Sequence, residues 1–155
     1  MTTMYKQISI ITLSMMLLMG CSGTVPTLGL NDGQLMPCPD SPNCVNSQQA
    51  ADEEHFIAPI DFIGTQQQAK VRLLHILKAS ERTNIVVVEE NYIRVEFTSQ
   101  VLQFVDDVEF YFPSTISDKI SIHVRSASRI GHSDFGVNRE RIEQIRNKFN
   151  AFKQQ

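Results

Sequence analysis

Between Asn84 and Arg125 the chain repeats the period of β-structure, and no other feature narrows the fold as far. Tyr92 to Thr98 alternates cleanly, with Ile93, Val95 and Phe97 on one side and Tyr92, Arg94 and Glu96 on the other. Leu102 to Phe112 sets Leu102, Phe104, Val108, Phe110 and Phe112 against Gln103, Val105, Asp107, Glu109 and Tyr111, with Asp106 among the apolar set. Lys119 to Arg125 places Ile120, Ile122 and Val124 inward and Ser121, His123 and Arg125 outward. Ahead of these, Asn84 to Glu90 is a β-branched run with apolar residues on both sides, the pattern of a strand covered on both faces. Asn91 and Pro113-Ser114 mark turns, and strands joined by short turns form an antiparallel meander.

A helix flanks the meander at each end. Thr65 and Gln68 have capping-box spacing, and Ala69, Leu73, Ile76, Leu77 and Ser80 follow at helical intervals, with a stop expected near Glu81. Beyond the strands, Asn138 is the expected N-cap and Val137 and Ile142 a hydrophobic staple; Ile142, Ile145, Phe149 and Phe152 form the inward stripe. The expected fold is α+β, a four-stranded antiparallel meander with an N-terminal and a C-terminal helix packed on one face. A length of 155 residues with 42% hydrophobic and 20% charged side chains fits one ordinary domain, expected over residues 37–155.

The first 20 residues form a leader. One lysine, Lys6, precedes the apolar run Ile8 to Met19, too short for a permanent membrane span and suited to secretion. The run ends Leu18-Met19-Gly20-Cys21, which resembles the bacterial lipobox and implies cleavage before Cys21 and its lipidation. An ordinary signal peptide ending beside a cysteine is the other reading. Ser22 after the cysteine points, by resemblance to enterobacterial lipoproteins, to the outer membrane, facing the periplasm. Residues 21–36, rich in Gly, Pro, Ser and Thr, read as a flexible tether. Without the leader, 13 basic face 17 acidic side chains, a net −4 that disfavours nucleic acid as a partner.

Cys38 and Cys44 enclose the short loop CPDSPNC. In an oxidising compartment a disulfide is the favoured reading, with a redox or metal pair as the alternative. The spacing differs from redox motifs, and His55, His75, His123 and His132 share no ligand spacing, so neither a metal nor a cofactor is expected. There is no GxSxG, phosphate loop or dinucleotide fingerprint.

The polar residues concentrate between Arg125 and Arg141. Gly131 and Gly136 permit unusual backbone angles, while Ser126, Ser128, Ser133 and Asp134 can cap local amides. Arg125, Arg129, Arg139 and Arg141 could clamp a carboxylate or phosphate at the start of the last helix, making Arg125, Arg129, Ser133, Asp134, Asn138 and Arg141 the candidate anion-binding set. Asp106 or Asp107 could instead act as general acid or base beside Arg129 and Asp134. Against both stands a structural reading in which the carboxylates and arginines lock the corner between them.

CPDSPNCVNSQ, HFIAP from His55, FVDDVEF from Phe104 and VRSASRIGHSDFGVNRERI from Val124 resemble the uncharacterised domain-of-unknown-function 1499 family, in bacteria and plastid-bearing organisms. The resemblance carries over no activity. A helper role in cofactor assembly or photosynthesis follows from the plastid members by analogy alone. The expected function is a non-enzymatic, membrane-anchored envelope domain that binds an envelope protein or small anionic ligand through its outward strand face (Tyr92, Arg94, Glu96, Glu109, Tyr111, His123, Arg125) or the corner. The alternative is a hydrolase-like enzyme acting on an envelope component. A concave pocket holding a carboxylate free of arginine would favour the enzyme.

Overall fold

The computed structural model describes residues 23–152, so the expected leader and Cys21 lie outside the described residues. In chain order the elements are β1 (Leu30–Asn31), β2 (Gln34–Leu35), β3 (Cys44–Asn46), β4 (Ile60–Ile63), α1 (Gln66–Lys78), β5 (Thr83–Val88), β6 (Tyr92–Thr98), β7 (Val105–Tyr111), β8 (Lys119–Ser128) and α2 (Val137–Ala151). The class is α+β, with two helices among the described residues and a mostly antiparallel sheet. A four-stranded sheet is corrected to six, in the order β3-β8-β7-β6-β5, because β4 also pairs with β8. Ten residues long, β8 exceeds the expected strand by Ser126, Ala127 and Ser128 and seats two short partners along one edge. Ile60 to Ile63 lie opposite Ile122 to Lys119, and Cys44 to Asn46 opposite Ala127 to Arg125.

The helices cover one sheet face. Thr65 caps α1 in a complete capping box, and α1 buries Ala69, Leu73, Ile76 and Leu77 but ends at Lys78, short of Glu81. They meet Ile142, Ile145 and Phe149 of α2 and Ile93, Val95, Val108, Phe110, Ile122 and Val124 of the sheet in one apolar core. Arg72 lies over the rings of Phe62 and Phe149 at that layer's rim. Burying these side chains contributes about 1.5–3 kcal/mol apiece.

Two strands depart from expectation. β5 is an edge strand rather than one covered on both faces: Val86 and Val88 are exposed, and a bulge interrupts its pairing between Ile85 and Val87. β7 begins at Val105, so Leu102 and Phe104, expected inward, lie in an exposed loop closed by the Ser99 amide donating to the Phe104 carbonyl.

The second face of the sheet is covered too. The first part of the expected tether lies across it from Gly23, and the β1–β2 hairpin is tied down by side chains that follow β3. Gln48 Oε1 accepts from the Leu35 amide at 2.7 Å, and Gln48 Nε2 donates to the Gly33 carbonyl at 3.0 Å. Asn46 Nδ2 donates to the Met36 carbonyl, and Gln49 Oε1 accepts from the Cys38 amide. The Cys38–Cys44 disulfide then joins this segment to β3.

Candidate functional site

Strand parity divides the polar residues into two groups, one on each face. On the helix face Asp106 stands in a row with Phe97 and Ser128. It accepts from Arg141 Nη2, whose guanidinium lies 5.0 Å over the Phe97 ring. Arg141 Nη1 also donates to Asn138 Oδ1 at 2.6 Å and Ser126 Oγ at 3.1 Å. Asn138, itself buried, donates from Nδ2 to Ser128 Oγ and the Asn43 carbonyl, both at 3.0 Å, and Asn43 Nδ2 donates to the Gly131 carbonyl at 2.7 Å. The corner is thus a filled hydrogen-bonded knot holding α2 to the end of β8 and to the disulfide loop.

Capping at α2 differs from expectation. The N-cap is Gly136, left-handed at φ 83°, and Asn138 sits inside the first turn. The preceding Phe135 is left-handed as well, at φ 55°. Two such residues turn the chain so that Asp134 can accept from the Gly136 amide at 3.0 Å and the Asn138 amide at 2.7 Å. The anion position expected at this helix start is therefore occupied by the chain's own carboxylate.

The other face carries an in-register ladder of charge. Arg94, Glu109 and Arg125 oppose one another across β6, β7 and β8, and Glu96 opposes Asp107 in the next row. Glu109 is 0% exposed. Its Oε1 accepts from Tyr92 Oη at 2.7 Å and the Gly29 amide at 3.0 Å, and its Oε2 accepts from Arg125 Nη1 at 3.2 Å. Burial, then the Glu109 hydrogen bond and charge, push the Tyr92 hydroxyl far above the usual tyrosine range. Arg129 reaches back from beyond β8 to grip Asp107 through Nε at 2.7 Å and Nη2 at 2.9 Å, and it also donates to Glu96. The Asp107 hydrogen bond first, then Glu96, raise the Arg129 guanidinium further against the opposing effect of burial. Burial alone would raise Glu96, but hydrogen bonds from Arg129 and Asn84 hold it below its ordinary range.

The predicted residues therefore do not converge. Asp106 and Asp107 lie on opposite faces of β7, and Asp134 caps α2. Arg125, Arg129 and Arg141 each serve a different carboxylate, while Arg139 donates to the Phe56 and Glu54 carbonyls at 2.7 and 2.8 Å. The outward strand face expected as a contact surface is largely inaccessible, since Tyr92, Glu109 and Arg125 are buried beneath the N-terminal segment. His123, expected in solvent, is half-buried with Nδ1 3.1 Å from Ser47 Oγ, and burial lowers its pKa.

Glu109, expected on the outward contact face, is instead the fully buried centre of the ladder. The available signal was the pattern Arg94, Glu96, Asp107, Glu109, Arg125, whose signs complement one another once the strands are paired. His55, itself buried, forms a third polar unit outside the two networks. Its Nδ1 lies 2.6 Å from Asp52 Oδ2 and its Nε2 lies 3.1 Å from the Ser41 carbonyl. Both partners are acceptors, an arrangement that the doubly protonated ring satisfies with a donor on each nitrogen. Burial opposes the charge, but the Asp52 and Ser41 hydrogen bonds outweigh it and raise the His55 pKa, while the His55 hydrogen bond lowers that of Asp52.

Concavities border these networks. A groove of about 590 Å³ beside α2 is lined by Phe97, Asp106, Arg141 and Lys148, among others. A cavity of about 480 Å³ between the N-terminal segment and the charged face is bordered by Thr27, Leu28, Pro37, Asp107, Arg125 and Arg129. Among the described residues Arg125 Nε, like Arg72 Nε, is buried without an acceptor. Among the described residues no group of three His, Cys, Asp or Glu side chains is placed to hold a metal ion, and no helix is long and apolar enough to cross a membrane.

Fold and site together define a small α+β domain built around two buried, charge-paired networks. Residues 34–149 match DUF1499, described as a protein of unknown function, and the chain belongs to that family. No curated protein matches the chain.

Proposed function

We propose that this is a lipid-anchored domain of the bacterial cell envelope, held through Cys21 on the outer membrane and facing the periplasm. There it binds an envelope protein segment or small anionic molecule through a carboxylate or carbonyl oxygen. The observation that carries the binding reading is the Arg125 guanidinium at the wall of the 480 Å³ cavity, its Nε without an acceptor among the described residues. Buried donors in folded proteins nearly always have a partner, so an orphan at a cavity wall is where an acceptor from outside belongs. The leader pattern supports the anchor.

The hydrolase-like alternative draws on the groove that holds Asp106, but that carboxylate is engaged by Arg141. An arginine-paired carboxylate with no metal-holding group beside it among the described residues specifies no reaction, so binding is the better supported reading.

Arg125→Lys retains a cation for Glu109 while deleting the Nε donor and the fork. Protein extracted natively from its envelope should release a bound acid or peptide on denaturation, and the Arg125→Lys variant should lose it. The same molecules leaving both proteins in equal amounts would defeat the binding reading. Palmitate incorporation by the wild type and not by Cys21→Ala tests the anchor separately.

A further inference from the structure

Of the twelve large apolar side chains exposed among the described residues, five gather on two loops. Val101, Leu102 and Phe104 stand on the loop between β6 and β7, and Phe135 and Val137 on the turn into α2. Phe135 is 97% exposed and Val101 85%. Both loops lie at one end of the sheet, because the Arg129 amide donates to the Val105 carbonyl at 3.1 Å and Asp106 pairs with Ser128. Ser99 and Val137 border the same groove.

The chain enters the described fold at this same end. Gly23, at φ 71°, is pressed so close that a Cβ there would stand 2.9 Å from Arg129 Cβ and from Ile130 Cγ2. Gly23 is two residues from Cys21, a reach of at most about 7 Å, so a pull from that cysteine would act on this end of the domain. Charge at this end is mixed, with Arg82 and Lys148 near Glu81 and Glu140, so attraction to an acidic headgroup layer is not what would seat it.

We infer that this end of the domain docks on the bilayer, with Val101, Leu102, Phe104, Phe135 and Val137 entering its interface beside the Cys21 anchor. The inference rests on the anchoring reading and adds an orientation to it: β8 stands up from the membrane and the Ile63/Ile116 end points away. An exposed aromatic on a short loop suits the interfacial layer, and a second apolar attachment strengthens an acyl anchor.

The chain contains no tryptophan, so Phe135→Trp, Leu102→Trp and Ile116→Trp each install a single fluorescent reporter. Ile116 is the control, fully exposed and at the far end of β8, roughly 30 Å away by strand rise. Each variant, extracted with its anchor, is reconstituted into phosphatidylethanolamine–phosphatidylglycerol vesicles doped with acyl-brominated phosphatidylcholine. Quenching several-fold stronger for Phe135→Trp and Leu102→Trp than for Ile116→Trp is expected, with little dependence on salt. Equal quenching at all three positions, or none at positions 102 and 135 in protein that floats with the vesicles, would overturn the orientation. The mass of the extracted protein reports acylation independently. If acyl chains are missing, coupling Cys21 to a maleimide lipid on the same vesicles restores the attachment, Cys38 and Cys44 being joined to each other. The same quenching comparison then still decides which end faces the bilayer.

Discussion

The two faces of the sheet are buried by different means. Against the helices, the buried side chains are apolar apart from the Asp106–Arg141–Asn138 knot at one end. Under the N-terminal segment, the floor is three carboxylates and three arginines, covered by a stretch with almost no apolar periodicity. The helix face gains free energy by removing apolar area from water, whereas the ladder face gains little beyond repaying desolvation and chiefly fixes which groups meet.

That contrast predicts how each face fails. Phe110→Ala should cost about 3–5 kcal/mol in urea unfolding, through lost transfer energy plus the cavity left behind. Glu109→Leu should cost a comparable amount, about 3–5 kcal/mol, by stranding the Arg125 charge. The double variant Glu109→Leu/Arg125→Met should regain most of that loss in the same titration. If it is no more stable than Glu109→Leu alone, the ladder contributes by something other than pairing.

Next in size is the Cys38–Cys44 bond. Cys38→Ser/Cys44→Ser should lower stability by about 2 kcal/mol, as for a short closed loop, and less where Pro39 and Pro42 already stiffen it. Hydrogen exchange sharpens the comparison. The Gly29 amide, which donates to Glu109, should lose protection while those of α1 and β6 keep theirs. Equal loss everywhere would mean that the segment and the core open as one unit.

Asp134→Ala should cost about 1 kcal/mol, since it removes the acceptor for two amides at the start of α2. The smallest effect concerns His55. Its raised pKa means that its contribution is complete below the ordinary histidine value of 6.5 and fades as pH rises through the folded value. The lowered Asp52 pKa adds stability above the ordinary aspartate value of 3.8 that is lost on acidification. The stability difference between wild type and His55→Asn should therefore be larger at pH 5.5 than at pH 8.5. A difference independent of pH would show that folding leaves the proton affinity of the ring unchanged.

Much of the helix face was legible because apolar spacing is a local signal. Ile93, Val95, Val108, Phe110 and Val124 fall inward as their alternation predicts, and Thr65 caps α1. Parity also placed Asp106 on the apolar side. β3 and β4 escaped because three or four residues are too few to show a period, and they exist only as partners for β8. The ends of β8 and β7 were misjudged for a related reason. Ser126 to Ser128 look like loop but are paired, while Leu102 and Phe104 look like strand but are not. The ladder face was the least legible, since Arg94, Glu96 and Glu109 are residues any outward face could carry. What buries them is a segment forty or more positions earlier, held by Gln48, Gln49 and a disulfide rather than by any pattern of its own.

The bulge in β5 has a consequence for neighbouring molecules. Among the described residues β8 has its outer edge occupied by the short strands β3 and β4, whereas β5 is the longer strand that ends the sheet at the opposite rim, and it is rich in valine. A straight rim of this kind would template the same strand of a second copy. The offset between Ile85 and Val87 breaks the spacing of its amides and carbonyls, so two such rims brought together at high local density match only over a short run and part again.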